Sequence, residues 1–308
     1  MRSLVIALIL LIACGSREAE QPDPPPSSEG VAPAPVPSRC TEQEFVTEVA
    51  VAEASGAVWV PPLGNEPAQI VIVGDSGNKG QFAIIDAGDG HPIASGALPM
   101  DGSVSDDLEG LSRVGNIYYG LTSGGWLRHW RRTENRFELI TPGYAIAPRH
   151  PLDVVGGARL FVCKSPKLSN CARNYEGLCL IGEEDDAASC RGFAASKSDG
   201  RLYCLVRGEG ESLSIDPTRF IDVAYRGALT GCHFSVDGSE VWVGTNAIGG
   251  NLVFAVRGWR DPPTATIERI ASIGSGFPEA LAVGPAGATY RFSDLAGSPS
   301  LADKYVCD

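Results

Sequence analysis

Short apolar runs punctuate the chain, and few of them carry the three-to-four spacing of a helix. Gln69–Val73, Asn116–Leu121, Arg159–Cys163, Arg201–Val206, Glu240–Gly244 and Ala288–Phe292 are rich in β-branched or aromatic residues and are bounded by Gly, Asp, Asn or Ser. Such runs predict strands. Turn-forming triplets precede several of them, at Val236-Asp237-Gly238, Ser198-Asp199-Gly200 and Pro285-Ala286-Gly287. The apolar residues that open each unit, Ile70, Leu111, Val154, Phe193, Phe234 and Leu281, are spaced by 41, 43, 39, 41 and 47. Four short strands with their turns occupy about 40 to 50 residues, the length of one propeller blade. The expected fold is therefore all-β, a β-propeller of six blades, with seven as the alternative. The regular period argues against a β-sandwich. The last unit, from Glu279 to Asp308, is too short for four strands. A strand around Phe45–Val51 is expected to complete it, so that N- and C-terminal strands close the ring.

The first residues break this pattern. Leu4 to Ile12 are uninterrupted apolar residues after Met1 and Arg2. A membrane-spanning helix needs about 20 residues, so this stretch has the length of a signal-peptide core instead. It ends in Leu11-Ile12-Ala13-Cys14, which resembles a bacterial lipobox. That resemblance implies a signal peptide over 1–13 and acyl chains on Cys14. Each buried methylene adds about 0.8 kcal/mol, and stable anchoring takes more than one chain. Gly15 follows rather than Asp, which by similarity to known sorting rules points to the outer membrane. The rest of 14–39 holds seven prolines among Ser, Ala, Glu and Gln, with no aromatic residue. Such a segment cannot bury enough surface to fold, and it reads as an extended tether. The folded domain is expected over 40–308.

Outside the first 39 residues, 22 basic and 33 acidic residues leave a net charge of about −11. That excess argues against nucleic acid and anionic lipid surfaces as partners. The chain has nine cysteines. With Cys14 spent on lipid, Cys40, Cys163, Cys171, Cys179, Cys190, Cys204, Cys232 and Cys307 remain. An even set in an exported chain reads as disulfides. One pairing is specific: Cys40 opens the domain and Cys307 nearly ends it, and a ring brings its termini together. Zinc is disfavoured, because no Cys-x-x-Cys or Cys/His cluster has the spacing it needs.

Three short motifs follow one another along the chain. One is Val73-Gly74-Asp75-Ser76-Gly77-Asn78 with Phe82-Ala83-Ile84-Ile85-Asp86 and Asp89-Gly90. A second is Asp107-Leu108-Glu109-Gly110-Leu111. A third recurs at Asn174-Tyr175-Glu176-Gly177-Leu178 and Pro278-Glu279-Ala280-Leu281. In their order and spacing these resemble bacterial six-bladed propellers of the SdiA-regulated and phytase-like esterase families. Leu108 stands where that pattern has an aromatic residue. A Cys- and acid-rich insertion, Cys179–Cys190, upsets the register after Glu176, so that 176–178 and 191–193 compete to open a blade. In the related families the channel mouth can hold a divalent ion.

The residues themselves point the same way. A Glu two positions before an inward apolar anchor starts an innermost strand, and in a propeller those starts converge on one channel mouth. Glu109, Glu176 and Glu279 are thus expected to meet, with Asp75 and Asp107 nearby. Converging carboxylates repel unless a cation or a proton joins them. Hard oxygen ligands suit Ca²⁺ or Mg²⁺. The competing expectation is that these residues satisfy backbone N–H groups where strands begin. Gly74-Asp75-Ser76-Gly77 resembles a serine-protease nucleophile motif, but no His precedes His91. A GDS-type lipase would want a late Asp-x-x-His, and the last His is His233. The stretch therefore reads as a turn. His91 and His150 read as surface loop, His129 as part of an alternating strand, and His233 as a residue able to reach the channel mouth. Trp130-Arg131-Arg132 is too short a basic patch to suggest nucleic acid.

Two functions remain. One is a binding or scaffold module of the cell envelope, held to the membrane by lipid, with an envelope protein or a small molecule as partner. The other is a divalent-metal-dependent hydrolase of phosphoesters or esters. The absence of a His–Asp dyad favours binding. The catalytic residue and the ligand stay open, and Ca²⁺ is the one cofactor suggested.

Overall fold

The computed structural model describes residues 39–147, 161–182, 189–208, 212–225, 227–246, 251–294 and 299–308. The signal peptide, Cys14 and nearly all of the tether lie outside the described residues, as do Val154 and His150.

The described chain is a β-propeller of antiparallel sheets. Two short N-terminal strands come first, β1 (Cys40–Gln43) and β2 (Glu48–Ala52). The first sheet is β3 (Ala54–Val60), β4 (Gln69–Gly74), β5 (Gln81–Asp86) and β6 (Pro92–Ala97), in that order. The second is β7 (Leu108–Val114), β8 (Ile117–Thr122), β9 (Trp126–Thr133) and β10 (Arg136–Ala145). The third is β11 (Tyr175–Leu180), β12 (Gly192–Ser196), β13 (Arg201–Arg207) and β14 (Leu213–Asp222). The fourth is β15 (Leu229–Phe234), β16 (Glu240–Thr245), β17 (Leu252–Arg257) and β18 (Thr266–Ser272). The fifth is β19 (Phe277–Val283), β20 (Ala288–Asp294) and β21 (Pro299–Cys307). In that last sheet β1 and β2 both pair antiparallel with β21.

The propeller has five blades, not six. The innermost strands begin at Ala54, Leu108, Tyr175, Leu229 and Phe277, 48 to 67 residues apart. The period of about forty mixes strand positions. Leu111, Phe234 and Leu281 lie on innermost strands, whereas Ile70 and Phe193 lie on second strands. The physical reason is burial on both faces: β4 and β12 are buried along their whole length, as the innermost strands largely are. An apolar anchor alone cannot tell these strands apart. The competition after Glu176 resolves the same way. Tyr175–Leu180 is innermost, and Gly192–Ser196 is the second strand of the same sheet.

Apolar side chains fill the space between neighbouring sheets. Val58, Val71 and Leu108 pack with Trp130 between the first and second, and Leu121 and Tyr175 with Leu205 between the second and third. Phe193, Leu229 and Val243 pack between the third and fourth. Trp242 and Leu281 do so between the fourth and fifth, and Ile70 and Phe292 between the fifth and first.

The innermost strands approach more closely than side chains would allow. A Cβ built on Gly110 would lie 2.5 Å from the backbone nitrogen of Leu178, and one on Gly177 would lie 2.7 Å from the carbonyl oxygen of Thr230. Glycine is needed at both for backbone to meet backbone.

Four disulfides join Cys40–Cys307, Cys163–Cys171, Cys179–Cys232 and Cys190–Cys204. All eight cysteines of the domain are thus paired, which leaves none for zinc and fits an oxidising, extracytoplasmic compartment. Among the described residues no helix is long and apolar enough to cross a membrane.

Candidate metal centre at the channel mouth

Every innermost strand opens on a break in its ladder. The register shifts between Ala54 and Gly56, Leu108 and Gly110, Tyr175 and Gly177, Leu229 and Cys232, and Pro278 and Ala280. A bulge leaves one residue unpaired and re-aims its side chain. The residues at these breaks are Ser55, Glu109, Glu176, Thr230 with Gly231, and Glu279. Three carboxylates and two hydroxyls thus start the five strands.

One carboxylate oxygen each from Glu109, Glu176 and Glu279 lie within 4.8 Å of one another. One each from Asp75, Asp107 and Glu109 do the same. Glu109 belongs to both groups, so all five sequence-predicted carboxylates form one connected cluster. Asp107, Glu109 and Glu176 are buried; Asp75 and Glu279 are half-buried. Asp75 arrives from the end of β4, and Asp107 sits immediately before β7.

The partners of these groups are few. Asn174 Nδ2 donates to Glu176 Oε1 at 2.8 Å, and Asn246 Nδ2 donates to Glu279 Oε1 at 2.9 Å. The Ser123 backbone N–H donates to Asp107 Oδ2 at 3.1 Å, and its hydroxyl donates to the same oxygen. Asp107 Oδ1 is buried with no partner among the described residues. Such an orphaned acceptor costs about 1–3 kcal/mol unless something meets it. Lys197 supplies a cation, its Nζ 3.2 Å from Glu176 Oε2 and 3.7 Å from Glu279 Oε1.

One lysine cannot neutralise five carboxylates, and their proton affinities reflect it. Burial, then repulsion from Glu176, Asp75, Asp107 and Glu279, holds Glu109 well above the usual carboxylate range. Burial pushes Glu176 up to about 7 although Lys197 pulls the other way. Burial likewise pushes Asp107 up to about 6, against the Ser123 hydrogen bonds. Asp75 and Glu279 are also raised, burial being the main cause for each. Burial works against the charge on Lys197, but Glu176 and Glu279 outweigh it and raise its pKa. The mouth thus stores negative charge that a proton or a cation must meet. Carboxylate oxygens, one of them orphaned, are the donor set for a hard divalent ion such as Ca²⁺. The residues fit that group.

Sequence reasoning passed over Lys197, Asn246, Ser123, Ser55 and Thr230. Aligning Ala54-Ser55-Gly56, Leu108-Glu109-Gly110, Tyr175-Glu176-Gly177, Leu229-Thr230-Gly231 and Pro278-Glu279-Ala280 would have found the two hydroxyls. Lys197 and Asn246 follow β12 and β16, the second strands of their sheets, as Asp75 follows β4.

The other singled-out residues take structural places. Asn78 N–H closes a turn on the Asp75 carbonyl at 3.3 Å, and Ser76 is exposed with no histidine bonded to it among the described residues. His91 is exposed. His129 is buried in β9, its Nε2 2.9 Å from the Tyr144 hydroxyl. Trp130 is buried, and Arg132 donates to the Glu134 carbonyl at 2.6 Å. His233 does reach a channel mouth, but at the opposite end of β15 from Thr230.

No protein-family model matches the chain. No curated protein matches it. Among solved structures it is similar to glutaminyl cyclase of Myxococcus xanthus, at 11% identity and a TM-score of 0.51, over 87% of this chain and 97% of that one. It is also similar to the PQQ-bound form of aldose sugar dehydrogenase from Streptomyces coelicolor, at 13% identity and a TM-score of 0.48, over 88% and 99% of the two chains. At such identities the likeness concerns the fold alone, and the likeness to the cyclase supports a β-propeller.

Proposed function

We propose that this chain is a lipid-anchored binding module of the cell envelope, and that its carboxylate mouth takes a hard divalent cation, Ca²⁺ by its donor chemistry. The observation that carries the cation is the pair of carboxylate groups sharing Glu109, beside the orphaned Asp107 Oδ1. Cleavage before Cys14, acylation there and a proline-rich tether would hold the propeller off the outer membrane. The four disulfides favour that side of the inner membrane. The fifth sheet, drawn from both ends of the chain, would close the ring and keep the mouth rigid. The likeness to SdiA-regulated and phytase-like propellers belongs to this reading.

A second reading, a metal-dependent hydrolase of phosphoesters or esters, is favoured by one observation. Glu176 sits near pH 7, where a general base works best. A bound divalent ion would supply Lewis-acid polarisation there. Against a base role, both Glu176 oxygens already accept donors, Oε1 from Asn174 and Oε2 from Lys197. Binding is therefore the better reading.

The test is elemental analysis and Ca²⁺ calorimetry on the intact protein beside a Glu109→Gln, Glu279→Gln double variant. One Ca²⁺ per chain, lost in the variant, is expected. No Ca²⁺ uptake, or uptake that survives the double change, overturns the site. Turnover of an activated phosphoester or ester by the loaded protein, abolished by Glu176→Gln, would favour the hydrolase.

A further inference from the structure

The far ends of the same innermost strands build a different cavity. From Glu109 to Arg113 the chain advances four residues along β7, about 13 Å at 3.3 Å per residue. There a cavity of about 380 Å³ is lined by residues from all five innermost strands, among them Trp59, Arg113, Leu180, Phe234 and Val283. Its volume falls within the usual range for small-molecule sites, and its walls are mainly apolar. We propose that this mouth is a second binding site, one that takes a small molecule with an apolar body and a single carboxylate.

The charge argument rests on Arg113. Its guanidinium makes no hydrogen bond or ion pair with any described residue, although it is half-buried at the cavity wall. A planar guanidinium matches a carboxylate with two parallel hydrogen bonds. Among the described residues one carboxylate lines the cavity, Asp237, and it is already engaged. It accepts from the Ser235 hydroxyl at 2.7 Å and from the Ser239 N–H at 3.1 Å and hydroxyl at 2.8 Å. It is therefore not the partner of Arg113.

Two polar groups define the rest of the polar end. His233 Nδ1 lies 2.7 Å from the Phe234 carbonyl, so that nitrogen carries the proton and Nε2 is left as an acceptor. Ser112 Oγ accepts from the Leu180 N–H at 2.9 Å and keeps its own hydrogen to donate. Ser112 and Arg113 supply the donors of a carboxylate-sized polar corner, and His233 Nε2 can accept from a water or hydroxyl beside it. Trp59, Phe234 and Val283 supply the apolar wall for a chain or ring. One guanidinium, with no second cation among the described lining residues, suits a monocarboxylate better than a phosphate dianion.

Octanoate is the probe, titrated into the intact protein by calorimetry and by the fluorescence of Trp59. Saturable binding is expected, with octylamine and 1-octanol at least tenfold weaker. Arg113→Gln is expected to weaken octanoate about tenfold and to leave 1-octanol unchanged. A Cβ on Gly182 at the rim meets nothing within 4 Å, so Gly182→Trp is expected to block the cavity with the fold intact. The Glu109→Gln, Glu279→Gln variant should bind octanoate normally, since its changes lie at the other mouth. No saturation at millimolar octanoate, equal binding of octylamine, or octanoate affinity untouched by either Arg113→Gln or Gly182→Trp overturns the proposal.

Discussion

At their N-terminal ends the five innermost strands gather Ser55, Glu109, Glu176, Thr230 and Glu279; at their C-terminal ends the same strands gather Trp59, Arg113, Leu180, Phe234 and Val283. The first end is bulged in every strand, while the ladders that reach the second, Val58 to Val60 with Gln69 to Val71 for example, run without a shift. A bulge frees a residue from the two-sided burial that a blade imposes, so a carboxylate can be turned into the channel. Where the ladder is regular, the strand presents the apolar residues that its packing already demands. One architecture thus yields an acidic mouth and an apolar one.

The largest effect expected is at the close approach that holds both mouths together. Gly110→Ala would drive a Cβ into the backbone of Leu178 and Gly177. It should cost about 2–3 kcal/mol in chemical denaturation, and cation binding should fall with it because Glu109 is its neighbour. Unchanged stability would mean that the innermost strands are not packed backbone to backbone.

Lys197→Gln sharpens the comparison from the acidic side. Lys197 is a like charge for any cation that Glu176 and Glu279 would hold. Removing it should tighten Ca²⁺ about tenfold by calorimetry, roughly 1.4 kcal/mol. A weaker affinity would show instead that Lys197 positions Glu176.

The smallest effect is expected at the other mouth. Arg113 has no described partner to lose, so Arg113→Gln should change stability by less than about 0.5 kcal/mol in the absence of ligand. A larger loss would mean that Arg113 supports the fold.

The legible and illegible parts of the sequence follow from the same burial. Innermost and second strands are packed on both faces, so Ile70–Val73 and Val241–Val243 read as apolar runs. Outer strands β6 and β10 are exposed or alternate, and the apolar runs passed over them. The blade count failed because an apolar anchor marks several kinds of strand, whereas the bulge tripeptide marks one. The glutamates were legible because they recur before Gly or Ala at strand starts. Lys197 and Asn246 were not, because only the tertiary fold brings the ends of β12 and β16 to those starts.

The most direct measurement is stability against pH between 8 and 6.5, in chelator and in Ca²⁺. Glu176 is raised to about 7 and Asp107 to about 6, so the fold takes up protons that the unfolded chain does not. Their contribution is fully present below the unfolded carboxylate range and is lost as pH rises through the folded values. His129 and His233, lowered to about 4 by burial, oppose this, because each unfolded imidazole takes up protons toward its ordinary value near 6.5 and costs about 0.4 kcal/mol between pH 8 and 6.5. In chelator, Glu176 should therefore add about 0.8 kcal/mol as pH falls from 8 to 6.5, which shows as the difference between the wild-type slope and that of a Glu109→Gln, Glu176→Gln variant carrying the same histidines. In Ca²⁺ that difference should disappear, because the ion takes the place of the proton, and the variant should show no stabilisation by Ca²⁺ at pH 8. The same pH slope in that variant, or no response to Ca²⁺ at pH 8, would contradict a mouth whose carboxylates need a cation or a proton to be joined.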